Sequence, residues 1–248
     1  MQGSFTLRAA ERGLTTIKSN GPASSYVAGH PDATITRHSS FNFSDYQSGR
    51  AGFGRVRVFG DEVFSGTGCG YNMHPHHNFI ICAFVLEGRL QHVNTTGNND
   101  ELQAGDYYAF SAGTGGHHTE INLHREPMNA LYLWMLPDHL YLPPSYGRGH
   151  FDAKAGADRI TPLLGAGSPV PIAQDARVSR LYSTKSGRHV YRPRSARHGL
   201  YCFVIDGTLA CAGTSLGKRD SKGLWGTGEI VLETGEATTD ALLVETIL

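Results

Sequence analysis

The segment Ala83-Phe84-Val85-Leu86-Glu87-Gly88 returns 119 positions later as Cys202-Phe203-Val204-Ile205-Asp206-Gly207, preceded by Tyr201. An apolar run closed by an acidic residue and glycine reads as a strand entering a tight turn. Its recurrence divides a chain of 248 residues into two similar β-units. The first copy continues as Leu90-Gln91-His92-Val93, a turn at Thr96-Gly97-Asn98-Asn99-Asp100, a strand Tyr107-Tyr108-Ala109-Phe110 behind Gly105-Asp106, and a further strand Leu131-Tyr132-Leu133-Trp134-Met135. Gly228-Glu229-Ile230-Val231-Leu232 reads as the echo of Gly105-Asp106-Tyr107-Tyr108-Ala109. No long helical period interrupts these strands, so the expected class is all-β. The two units could be the sheets of one sandwich, but each is long enough to close a small barrel of its own. Pro137 to Ser168, with Pro143-Pro144 and repeated glycine, reads as the crossover. The expected division is residues 1–140, a linker 141–168, and residues 169–248.

Lysine plus arginine equals aspartate plus glutamate at 22 each, so no basic field exists to hold nucleic acid or an anionic membrane surface. No apolar stretch approaches the roughly 20 residues of a membrane span, and the opening MQGSFTLRAAERG lacks a signal-length apolar run. A soluble, cytoplasmic protein is expected. Cys69, Cys82, Cys202 and Cys211 form no CxxC pair and sit in or beside apolar strands, which reads as free buried thiols.

Seven of the thirteen histidines, from His74 to His124, fall within 51 residues. On a strand, side chains two apart share a face, so His74 and His76 point together while Pro75 points away. His118 and Glu120 repeat that spacing. A single HxH pair is more often a satisfied surface or core feature. Two such pairs in one unit point instead to a shared centre. Three imidazoles and a carboxylate suit a divalent first-row metal with positions left for water or substrate, and no cysteine closes the set. His77 and His117 face the other way and are read as surface residues or as outer partners of the ligands; His92 and His124 are given no role. In the second unit, Pro193 and Ser195 fall where His74 and His76 would be, and no histidine follows His198.

The stretch Gly68-x5-His74-Pro75-His76, then Phe84-Val85-Leu86-Glu87-Gly88, Leu90-Gln91-His92, Gly97-Asn98, Gly105-Asp106, Ser111-Ala112-Gly113 and His118-Thr119-Glu120, resembles the metal-binding segment of the pirin family of bicupins. The likeness runs from about Arg37, through Phe53-Gly54-Arg55-Val56-Arg57-Val58, to about Tyr146. It implies two cupin-type jelly-roll barrels, with a metal, iron above all, held in the N-terminal one by the positions of His74, His76, His118 and Glu120, and none in the C-terminal one. Where pirins usually continue the HPH motif as Arg-Gly-Phe-Glu-Thr, this chain reads His77-Asn78-Phe79-Ile80-Ile81, so Ile80 occupies the general cupin glutamate position.

The resemblance implies a dioxygenase that opens a flavonol such as quercetin, or another small aromatic enol, with O2. The alternative it implies is a redox-responsive metal protein that turns nothing over and works through a protein partner of the transcription-regulator type. A metal-assisted isomerase or hydrolase is a third reading. Glu120 is the candidate base, and Phe79, Phe84, Tyr108, Phe110 and Trp134 are candidate pocket walls. Manganese, nickel, cobalt, copper and zinc stay open beside iron, as do monomer and dimer.

Overall fold

The computed structural model describes residues 2–19, 26–43 and 51–248. Among them the only helical element is the short 3-10 turn Ala9–Glu11. Among the described residues no helix is long and apolar enough to cross a membrane. The strands form two compact units, and each is an antiparallel barrel of two sheets.

The first unit comprises Gly13–Gly52 and Val56–His150 in their described residues. Its seven-stranded sheet runs in the order Ser145–His150, Asp106–Ser111, Ile80–Glu87, Met128–Met135, Val56–Ser65, Thr34–Asn42 and Gly13–Lys18. The facing five-stranded sheet runs Val27–Ala28, Cys69–His76, Gly116–Asn122, Arg89–Asn94 and Asn99–Gln103. Period-two alternation sends Ile81, Ala83, Val85, Tyr108, Phe110 and Tyr132 into one buried cluster between the sheets. Phe84, expected among the barrel walls, lies outside that cluster and stacks on Tyr107 instead, 6.0 Å between centroids.

The second unit comprises Met1–Arg12, in its described residues, with Phe53–Arg55 and Phe151–Leu248. Its six-stranded sheet starts from Gly3–Leu7, which pairs with Ser221–Trp225, and ends at Arg159–Gly165. A four-stranded sheet, Gly187–Tyr191, Ile230–Thr234, Leu209–Cys211 and Thr214–Leu216, faces it.

The units depart from the division at 140 and 168 in several ways, the segment Phe53–Arg55 falling with the second unit. Ser145–His150 is an edge strand of the first unit, Arg159–Gly165 is a strand of the second, and Gly3–Leu7 belongs to the second unit although it opens the chain. Glycine made residues 145–150 look like linker. Gly149 is there because the Tyr107 ring lies against it: a Cβ would stand 2.4 Å from the phenolic oxygen.

The echo drawn for Gly228–Leu232 is also corrected. Ile230–Thr234 pairs with Gly187–Tyr191 and Leu209–Cys211, the place that Gly116–Asn122 holds in the first unit between Cys69–His76 and Arg89–Asn94. Ser221–Trp225 is the true counterpart of Asp106–Ser111, since each pairs with the strand of the repeated segment. A glycine beside an acidic residue precedes several strands here and does not identify one. All four cysteines are free and buried.

Candidate metal centre

The site is built on two neighbouring strands, Cys69–His76 and Gly116–Asn122. His118 lies directly opposite His74, Gly116 opposite His76, and Glu120 opposite Tyr71. Between these pairs the register shifts, because Asn72 and Met73 together face the single residue Thr119. Such a bulge re-aims the side chains beyond it. Thr119 Oγ1 donates to the Tyr71 carbonyl at 2.6 Å and pins it there. Tyr71 and His74, three apart, therefore both point inward. The strand stops after His76, where Asn78 takes a left-handed φ of 54° and accepts from the Tyr141 amide at 2.7 Å.

The structure brings His74, His76 and His118 together, with one ring nitrogen from each within 4.8 Å of the others. The ring centroids are 4.5 to 4.9 Å apart. His74 donates its Nδ1–H to the Asn72 carbonyl at 2.7 Å, which leaves its Nε2 lone pair free. The Nε2 atoms of His76 and His118 are buried and hydrogen bonded to no protein group. Orphaned buried nitrogens are costly unless something accepts their lone pairs. Burial holds all three imidazoles below the ordinary histidine range, His76 at about 4, so they are neutral near pH 7 and can ligate. The donor set, the convergence and the orphaned atoms all fit a divalent cation.

Glu120 approaches from one side. Its Oε2 lies 3.9 Å from His118 Nε2, but it is not among the groups that converge within 4.8 Å. Tyr108 donates its phenolic hydrogen to Oε1. Burial pushes the carboxyl up to about 8 despite that bond, so ionisation calls for a cationic neighbour.

His92, given no role from the sequence, is fully buried and its Nε2 stands 3.1 Å from His118 Nδ1. With His118 Nε2 turned to the centre, His118 donates through Nδ1, and His92 is the group that fixes its tautomer. Its ring is held between Tyr108, 4.1 Å away, and Tyr146, 5.3 Å away. The sequence did carry a signal: Leu90, His92 and Asn94 share one strand parity, and all three are buried.

Of the expected pocket residues, Trp134 lines a cavity of about 220 Å³ that reaches His74 and Glu120. Phe79 packs behind Trp134 at 5.9 Å, and Phe110 lies nearly flat on the His118 ring at 5.2 Å. His77 and His117 are exposed, His77 just past the end of its strand and His117 on the outer side of its own. The sequence reading missed the rest of the lining, including Tyr26, Phe43 and Tyr132 and the polar group Arg37, Glu62 and Tyr71. Arg37 and Glu62 are cross-strand partners, and Glu62 shares parity with the inward Phe64.

In the second unit Ile230 and Leu232 occupy the strand that corresponds to His118 and Glu120. Both pack in an apolar cluster with Tyr191, Leu209 and Cys211.

The family model described as Pirin matches residues 23–135, and that described as Quercetinase C-terminal cupin domain matches residues 163–246. A quercetin 2,3-dioxygenase of Escherichia coli K12 is 28% identical over 188 residues, 75% of this chain and 80% of its own. A Zymomonas mobilis protein provisionally named quercetin 2,3-dioxygenase is 31% identical over 210 residues, 82% and 88% of the two chains. A bacterial pirin from Escherichia coli, solved with nickel(II), superposes with a TM-score of 0.83 over 99% of each chain at 24% identity. At that identity the likeness speaks for the fold.

Proposed function

The chain belongs to the pirin family of bicupins, and on that ground we propose that it is a metal-dependent dioxygenase, opening a flavonol-like or smaller aromatic enol with O2 in its N-terminal barrel. One observation carries the reading: three neutral, convergent imidazoles, two with buried orphan nitrogens, form a cluster whose member His74 lines a cavity walled by aromatic rings. His74, His76 and His118 would hold the ion, with Glu120 as fourth ligand or as base. A bound divalent metal supplies charge to stabilise an ionised enol and, where it is iron, electron exchange with dioxygen; manganese, nickel, cobalt, copper and zinc are the alternatives.

The remaining work belongs to the chain's own side chains. Glu120, whose ionisation lies within reach of neutral pH, takes the enol proton as a carboxylate and later releases it as the acid, and Tyr108 steadies the carboxylate form. Phe43, Tyr132 and Trp134 line the cavity with apolar rings that suit an aromatic substrate and keep bulk water from it.

The test is spectroscopic. Flavonols and single-ring hydroxypyrones are added without oxygen to iron-loaded protein, and admission of oxygen is expected to bleach their near-ultraviolet absorption. Unchanged absorption over the whole panel, with each metal in turn, would overturn the proposal. Turnover with zinc and no oxygen would replace it with Lewis-acid chemistry.

Metal affinity is expected to depend on pH through Glu120. Its folded carboxyl lies at about 8, above the ordinary carboxylate range, and only the ionised form binds a cation, so binding below that pH expels one proton. Apparent affinity should climb about tenfold per pH unit between pH 6 and 8 and then level off. Glu120→Gln should flatten the climb. A slope of zero for the wild-type protein in metal-buffered titrations would exclude Glu120 from the coordination sphere.

A further inference from the structure

The cavity has a second polar wall. Arg37 and Glu62 face each other across adjacent strands, with Arg37 Nε donating to Glu62 Oε1 at 2.7 Å. Arg37 also donates from one terminal nitrogen to the Tyr71 hydroxyl at 2.6 Å, and that hydroxyl donates to Glu62 Oε2 at 2.8 Å. The guanidinium has five N–H bonds. Two are used, and the other three meet no protein acceptor among the described residues. Asn42, on the same strand, presents a side-chain amide that is likewise without a partner there. Both residues line the cavity that His74 and Glu120 also line, and Tyr26, 54% exposed, lines it too.

A planar donor fork, held rigid by its own salt bridge and left with its remaining edge toward a cavity, is built to receive an oxyanion. At about 220 Å³ the cavity falls below the usual range for drug-sized ligands, so a single ring fits better than a fused system. Resting on the enol-binding reading above, we propose that the substrate class is a single-ring enol carrying a carboxylate, its enol oxygen at the histidine end and its carboxylate on Arg37 and Asn42.

Comenate and kojic acid make a matched pair for the test. Both have the hydroxypyrone head that chelates a metal, and only comenate has a carboxylate on the far side. Their affinities for zinc-loaded protein, in which no oxidation occurs, are measured by titration calorimetry. The wild-type protein is expected to prefer comenate by about tenfold or more. Arg37→Gln should bring the ratio close to one, the loss falling on comenate. That variant strands a buried Glu62 and could fail to fold, so Glu62→Gln is the second arm. It can keep an amide oxygen as acceptor for Arg37 Nε while removing the negative charge that opposes a second carboxylate beside the guanidinium, and the comenate preference should rise further.

Equal affinity for the two ligands in the wild-type protein, or no rise in Glu62→Gln, would overturn the carboxylate assignment and leave the enol reading standing. Failure of both ligands to bind would overturn the enol reading and this inference with it.

Discussion

Replacing His118 with alanine is expected to leave a folded protein that no longer retains metal, with affinity lowered by more than about a hundredfold, since disturbing only an outer partner of a ligand costs about ten- to a hundredfold. The residue is fully buried, its Nε2 is orphaned, and its other nitrogen is already committed to His92. Phe110 covers one face of the ring, and the neighbouring imidazoles of His74 and His76 each have only one lone pair to give, so neither supplies a second donor. Oxygen-dependent bleaching of any enol should vanish with the ion. Loss of fold would be a trivial cause, and melting of the metal-free proteins separates the two. The metal-free variant should still melt cooperatively, below the metal-free wild type by the cost of the cavity beside Phe110 and of a His92 nitrogen left without its partner. Metal content near one ion per chain in the alanine variant would sink the assignment.

Gly70→Ala should do comparable damage without touching a side chain of the site. Gly70 lies opposite Ile121 on the two strands that carry His74, His76 and His118. A Cβ there would stand 2.0 Å from the Glu120 carbonyl oxygen and 2.6 Å from the Ile121 Cα, and both obstacles are backbone. Relief requires the strands to part, which breaks their ladder and pulls the His74 and His76 strand away from the His118 strand. A cost of about 3 kcal/mol or more is expected, at the upper end for overpacking, with Tm lower by about 10 °C and metal retention reduced. Gly228→Ala is the control, since a Cβ at Gly228 meets nothing within 4 Å. A Gly70→Ala protein that melts with the wild type would show that the strands have slack the structure does not display.

Strand parity explains what could be read before any coordinates. His74 and His76, and His118 and Glu120, are each two apart, and parity alone turns each pair to one face. Parity fails at a bulge, so nothing in the sequence said that Tyr71 and His74 would both point inward, or that Glu120 would stand apart from the three imidazoles. It would have flagged His92, had the buried neighbours Leu90 and Asn94 been weighed with it. Arg37 and Glu62 are a different case. Their alliance is made across two strands whose register depends on tertiary packing, and a lone arginine or glutamate in a strand gives no hint of its partner. The misplaced echo at Ile230 has the same root: a glycine turn marks that a strand begins, while only ladder partners say which strand it is.

The pairing of Gly3–Leu7 with Ser221–Trp225 has a kinetic consequence. Its partner strand leaves the ribosome more than two hundred residues later, a delay of tens of seconds at about 5–20 residues per second. Throughout that interval the strand is an unmatched edge able to join the wrong sheet, whereas the metal-site barrel needs none of these residues and can close first. Contacts that bridge so many residues are slow to form. The rate at which newly made protein becomes whole is therefore governed by the barrel that carries no histidine cluster, and metal could be captured while the other barrel is still waiting for its last strand.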